Sequence, residues 1–204
     1  MIDQVWLIPL GFAAGILGSM IGLGGGIIVV PVLTFLGFPP TVAASNSLFA
    51  ALSNSIASTI SYSRQKRIEY FLGLKLGLLA IPGTILGAIL STDIAPDIFK
   101  ILFGLVLIAS AIYIFLRKQI ESKEKIISKQ MIIFAIGSSF FAGIISSFFG
   151  IGGGIIFVPL MVVGMGMSMK KAAPTSQLIL FFASLLFHNK LGILYYNYWK
   201  LHMF

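Results

Sequence analysis

The groups best placed to do chemistry in this chain belong to its backbone. Residues 22–31 read GLGGGIIVVP and residues 150–159 read GIGGGIIFVP, so two glycine triplets, Gly24–Gly25–Gly26 and Gly152–Gly153–Gly154, interrupt apolar runs. Glycine inside a helix costs roughly 1 kcal/mol relative to alanine, and consecutive glycines serve packing poorly. The triplets therefore read as helix breaks. A helix restarting at a break offers free N–H groups and the positive end of its dipole, which together attract anions. Lacking a Cβ, glycine also lets a ligand or a second backbone come close. Both triplets are candidate binding residues for a small anion, and so are the polar sets that follow them, Ser45, Asn46 and Ser47, and Thr175, Ser176 and Gln177.

Further polar residues repeat at helical spacing. Ser47, Asn54, Ser58 and Ser61 are separated by 7, 4 and 3 residues, and Gln177, Ser184 and His188 by 7 and 4. Each set marks one face of a helix, which in an apolar span either lines a polar path or binds helices together. Ser53, Ser55, Ser58 and Ser61 stay open between those two roles. His188 and Lys190 are candidates for a proton or anion relay, although a lone histidine is more often simply hydrogen-bonded. Lys75 reads as a residue reaching to the membrane interface. Gly11, Gly15, Gly18 and Gly22 have the spacing of close helix packing. The sequence shows no paired carboxylates, metal-ligand cluster or nucleophile–base arrangement, so neither an enzyme nor a cofactor is expected. The triplets are not nucleotide loops, since no βαβ pattern or GK[ST] accompanies them.

These residues must be positioned by membrane helices. Of 204 residues, 58% are hydrophobic and 10% charged, against about 25% charged in soluble domains. The net charge of +8 resides in short clusters between apolar segments, the pattern of cytoplasmic loops rather than of nucleic-acid binding. Apolar stretches cover about 5–36, 43–62, 70–92, 97–116, 131–163 and 173–196. The first and fifth are too long for one crossing of roughly 20 residues, and each holds a triplet and a proline, Pro31 or Pro159. If both enter and return on one side, ten of the fourteen basic residues share a face, with Asp3, Asp93 and Asp97 opposite. The positive-inside bias favours that hairpin over an ordinary crossing. A hairpin plus three crossings is odd, so a second copy would be inverted relative to the first.

The copy is present. Ala14–Pro31 and Ala142–Pro159 share twelve identities in eighteen positions, and after one inserted residue Ala43–Ser47 aligns with Ala172–Ser176. The expected organisation is a first membrane repeat at 1–117, a charged cytoplasmic linker at 118–130, and a second, partial repeat at 131–204. A doubled GxGGG…VP block, each followed by an A-A-x-[NT]-S block, resembles the sulfite exporter TauE/SafE family over nearly the whole chain. That resemblance implies an all-α integral protein of the cell membrane that exports sulfite or organosulfonates. The counterparts of 70–117 are missing after Phe204, so the chain reads as truncated or naturally short. The expected function is a secondary transporter of small anions with its site near the midplane between two glycine breaks. A non-transporting membrane subunit is the alternative. The partners expected are the anion and the lipid bilayer, and pairing of two copies would cover the open surface.

Overall fold

The computed structural model describes residues 7–91, 94–117 and 129–202, and these are helical nearly throughout. The elements are α1 (Leu7–Ile21), α2 (Gly26–Phe35), α3 (Pro40–Arg64), α4 (Tyr70–Leu90), α5 (Pro96–Arg117), α6 (Lys129–Phe149), α7 (Gly154–Pro159) and α8 (Met169–His202). A π-helical turn, Leu160–Gly164, follows α7. The all-α expectation holds among the described residues. Most of the linker, residues 118–128, lies outside them.

Both long apolar stretches are cut at their triplets. Helix α1 stops at Ile21 and α2 begins at Gly26, while α6 stops at Phe149 and α7 begins at Gly154. Between them the backbone enters the left-handed region at Gly22, Gly24 and Gly25 (φ 82°, 74° and 85°), and again at Gly150, Gly152 and Gly153 (φ 69°, 80° and 75°). A residue with a Cβ loses roughly 1–2 kcal/mol in that conformation, so the repeated glycines encode a repeated turn. At the first break the chain doubles back. The Gly24 N–H donates to the Gly18 carbonyl at 3.2 Å, and Gly25 lies against the Ala14 carbonyl.

Helix α4 packs on α6 and α8 through small residues. A Cβ at Gly83 or Gly87 would fall on the carbonyl of Phe140 or Ile144, and one at Gly143 would fall on that of Ala80. Gly73 and Gly77 face Leu178, Ile179 and Phe182 of α8. Such close approach is how helices associate where lipid removes the hydrophobic drive. The fourfold spacing of Gly73 and Gly77, and of Gly83 and Gly87, is the signal of this stripe in the sequence. Helix α5 is fixed by aromatic rings, with Phe99 stacked on Phe103 at 5.9 Å and set against Phe149 at 5.6 Å.

The surface is inverted relative to a water-soluble domain. Phe12, Phe35, Phe71, Ile101 and Phe134 are exposed, while Ser47, Ser139, Ser146, Thr175, Ser176 and Gln177 are buried. An outer face of this kind suits lipid, and interior hydroxyls satisfy backbone that lipid cannot. Among the described residues, α4 alone is long and apolar enough to cross a membrane by itself. The glycine break leaves α1 and α2 apolar but shorter. At one end of the molecule Lys171 Nζ lies 2.9 Å from Glu69 Oε1, and the Glu69 N–H donates to Thr175 Oγ1 at 3.1 Å. The turn holding Arg64, Lys66 and Arg67 therefore sits beside Lys170 and Lys171. The same contacts set α8 antiparallel to α3, its sequence counterpart.

Candidate functional site

The two breaks meet in the middle of the fold, backbone against backbone. A Cβ on Gly26 would come within 2.8 Å of the Gly150 carbonyl oxygen and the Ile151 Cα, and one on Gly154 would strike the Gly22 carbonyl and Leu23. A Cβ added at either Gly24 or Gly152 would meet both Ala51 and Leu180. Left-handed turns leave carbonyls without helical partners, and each half supplies the donor the other needs. The Ser47 hydroxyl donates to the Gly150 carbonyl at 2.6 Å, and the Ser176 hydroxyl donates to the Gly22 carbonyl at 2.7 Å. Gln177 Nε2 adds a bond to the Gly18 carbonyl at 3.0 Å.

These exchanges carry a stability prediction. Ser47→Ala and Ser176→Ala each orphan a buried carbonyl, so each is expected to lower unfolding stability in detergent by roughly 1–3 kcal/mol. The Ser176 hydroxyl also lies 2.8 Å from the Ala173 carbonyl of its own helix, so its loss is expected to be the smaller of the two. A midpoint unchanged in either variant would mean that another donor reaches the carbonyl.

Beyond this shared centre the halves differ. A cleft of about 670 Å³ runs between α1 and α3, with Gly24 and Gly25 on its floor. One wall carries Gly11, Phe12, Gly15, Ile16 and Ser19, the other Ser53, Asn54, Ala57, Ser58 and Ser61, and Tyr62 and Gln65 stand further along α3. At the start of α2 the Ile28 and Val29 N–H groups donate to the Gly25 carbonyl at 3.1 and 3.3 Å, which leaves those of Gly26 and Ile27 without a carbonyl of their own helix. Asn54 Nδ2 is buried with no protein partner. No lining residue is charged, so a solute here meets hydroxyls, the amides of Asn54 and Gln65, and apolar groups. The second triplet does not reach this cleft. Gly152, Gly153 and Gly154 are buried against Leu180, Phe157 and Gly22.

The residues singled out in sequence thus separate by place. Ser47, Ser176 and Gln177 join the centre, whereas Thr175 also accepts from the turn after α3. Asn46 is exposed, with its amide on the Val42 carbonyl of its own helix at 2.8 Å, and Ser45 is half-buried one turn before Phe49. Ser53 and Ser55 donate to the Phe49 and Leu52 carbonyls of α3 itself. Gly11 and Gly15 face the cleft rather than a helix, unlike the tightly packed Gly18 and Gly22. Lys75 is exposed and sits 4.0 Å over the Phe71 ring, one turn toward the helix start. The side chains of His188 and Lys190 lie outside the described residues. Ser19, Tyr62 and Gln65 join the cleft without having stood out among the candidates. Tyr62 donates to the Ser19 carbonyl at 3.1 Å, and Ser58, Ser61, Tyr62 and Gln65 simply continue the helical spacing already noted.

Comparison with known proteins points in one direction. A family model described as "Sulfite exporter TauE/SafE" matches residues 7–201. The chain is 31% identical over 205 residues to the probable membrane transporter protein YunE of Bacillus subtilis, covering 89% of this chain and 75% of that protein. It is 35% identical over 164 residues to a probable membrane transporter protein of Methanocaldococcus jannaschii, covering 77% of this chain and 61% of the relative. A probable membrane transporter protein of a Sinorhizobium species is 28% identical over 170 residues, 83% of this chain and 65% of the relative. The chain thus spans less than two thirds of the latter two. No solved structure matches it.

Proposed function

Because the chain belongs to the sulfite exporter TauE/SafE family, we propose that it is a secondary transporter exporting small anions, such as sulfite or organosulfonates, across the cell membrane. The observation that supports this reading best is the first glycine break, where Gly24 and Gly25 floor an uncharged, partly polar cleft that also holds the unpartnered Asn54 Nδ2. An anion leaving water needs donors held ready for it. The Asn54 amide and the Ser58 and Ser61 hydroxyls along α3 offer them. With no fixed cation to trap it, the anion can also leave.

In this reading the breaks are re-entrant and the halves are inverted repeats. Binding at discontinuous helices between inverted halves then permits access from alternate sides. The antiparallel setting of α3 and α8 agrees with that arrangement. The basic end, together with the linker 118–130, faces the cytoplasm. The chain carries no nucleotide-binding motif, so an ion gradient or the solute's own gradient drives transport. The membrane potential by itself favours anion export by about 2.3 kcal/mol per charge per 100 mV.

Sulfite efflux from proteoliposomes containing the 204-residue chain, with sulfoacetate and sulfate as competitors, tests the proposal. Saturable efflux that a competitor slows is the expected result. Calorimetric binding without efflux would keep the site and remove alternating access from this length of chain. Neither binding nor efflux would favour a non-transporting membrane subunit.

A further inference from the structure

We infer that the basic turn after α3 is an electrostatic funnel, drawing small anions out of water and into the cleft. Its part in efflux rests on the transporter reading, whereas the field itself does not. At its far end along α3 the cleft is lined by Ser61 and Gln65, both exposed, so it opens there. Gln65 caps α3 and is flanked by Arg64, Lys66 and Arg67, which are exposed as well. Arg64 follows the cleft residues Ala57 and Ser61 by seven and three positions, so it continues their face of the helix. Among the described residues no ion pair ties up these three cations, and Glu69 is engaged by Lys171 at 2.9 Å. The cleft walls carry no charge. The pull on an anion must therefore come from the rim.

The backbone of the turn gives the charge a purpose of its own. The Lys66 N–H donates to the Ser63 carbonyl at 2.9 Å, and the Arg67 N–H donates to that of Tyr62 at 3.3 Å. That pair of bonds closes a helix end at which glycine usually stands. Lys66 has φ 55°, and every other described residue in the left-handed region is glycine. The chain thus spends glycine on each such turn except the one at the cleft entrance, where it places a cation. Membrane orientation asks only for basic residues on one side, and a position without strain would serve it. Charges of one sign at an entrance focus the field and raise the local concentration of the opposite ion. Held at the rim, they speed entry and leave the floor without a fixed cation.

The chain has no cysteine, so one thiol can report the potential inside the cleft. Ala57→Cys places it about 10 Å from Arg64 along α3 at the helical rise. The full chain in detergent is labelled with sulfonatoethyl methanethiosulfonate, an anion, and separately with the trimethylammonium analogue, a cation. The ratio of the two rates cancels accessibility and thiol ionisation. Arg64→Gln, Lys66→Gln and Arg67→Gln together are expected to lower the anion-to-cation ratio about tenfold in about 0.01 M salt. The effect should vanish near 1 M, where screening shortens to about 3 Å. Lys66→Gly alone is expected to lower the ratio about twofold while raising the unfolding midpoint, a pairing that a merely structural lysine would not give. Asn46→Cys, eleven residues earlier on α3, is the reference and should not respond. In proteoliposomes the triple variant is expected to raise the KM for sulfite about tenfold at low salt, with kcat unchanged. A ratio indifferent to the triple variant would overturn the funnel. An equal fall at Asn46→Cys would overturn it too, since the field would then be that of the whole molecule. A fall confined to Ala57→Cys, in a chain whose vesicles show no efflux, would keep the funnel and remove the transporter reading.

Discussion

Gly26→Ala and Gly154→Ala are each expected to cost the chain about 3 kcal/mol or more, at or beyond the upper end for overpacking, and to leave little monodisperse protein in detergent. Neither residue has a positive φ, so alanine suits its own backbone. The obstacle is the other half. The methyl of the Gly154 variant would lie on the Gly22 carbonyl and 2.6 Å from the Leu23 Cα, and that of the Gly26 variant would lie 2.8 Å from the Ile151 Cα. These neighbours are backbone atoms in turns already fixed by Ser176 and Ser47, so no rotamer change relieves the collision. Gly104→Ala is the control. Nothing lies within 4 Å of its added carbon, and its helix is expected to gain up to about 1 kcal/mol from the better propensity. A Gly154→Ala protein that unfolds at the wild-type midpoint would refute the close approach of the two breaks.

The second large effect is expected on transport. Asn54→Leu should lower anion efflux about tenfold or more, the equivalent of roughly 1.4 kcal/mol in solute binding, while stability stays level or rises. The two readouts part because of what Asn54 lacks. Its Nδ2 is buried without a protein acceptor, so folding already bears the desolvation of that group, and an apolar replacement of similar shape relieves it. A solute anion in the cleft is the acceptor that would use it. Asn46→Leu, eight residues earlier on the exposed face of α3, should leave efflux unchanged. Equal efflux in the Asn54 and wild-type proteins would remove the amide from the solute's path.

The contrast between these asparagines shows where the sequence was informative. The breaks were legible because three consecutive glycines in an apolar run have few other physical uses, and because the arrangement occurs twice. Their facing residues were legible only as a group. Helical rotation turns each successive residue by about 100°, so Ser45, Asn46 and Ser47 cannot all look toward one break, and Ser47 alone does. The same rotation gives Ser176 and Gln177 to the centre and leaves Thr175 beside the α3–α4 turn. The difference between the halves was not legible. Both triplets read alike, and what seals the second while the first opens is the placement of neighbours from distant parts of the chain. The stripe on α4 was visible as spacing, but its role depended on knowing that Gly143 lies across from it.

The reciprocal bonds of Ser47 and Ser176 also bear on how the chain is made. Synthesis proceeds from the N-terminus, so α1, α2 and α3 leave the ribosome long before residue 176 exists. Until then the Gly22 carbonyl lacks the donor that lies 154 positions downstream, and in lipid an unpaired carbonyl costs several kcal/mol. The early half must therefore wait at the water-accessible insertion machinery, or keep its glycine turn unformed, until its twin emerges. Neither half is a finished module handed to the other. Closure of the first glycine turn is therefore expected to follow translation of the first turns of α8.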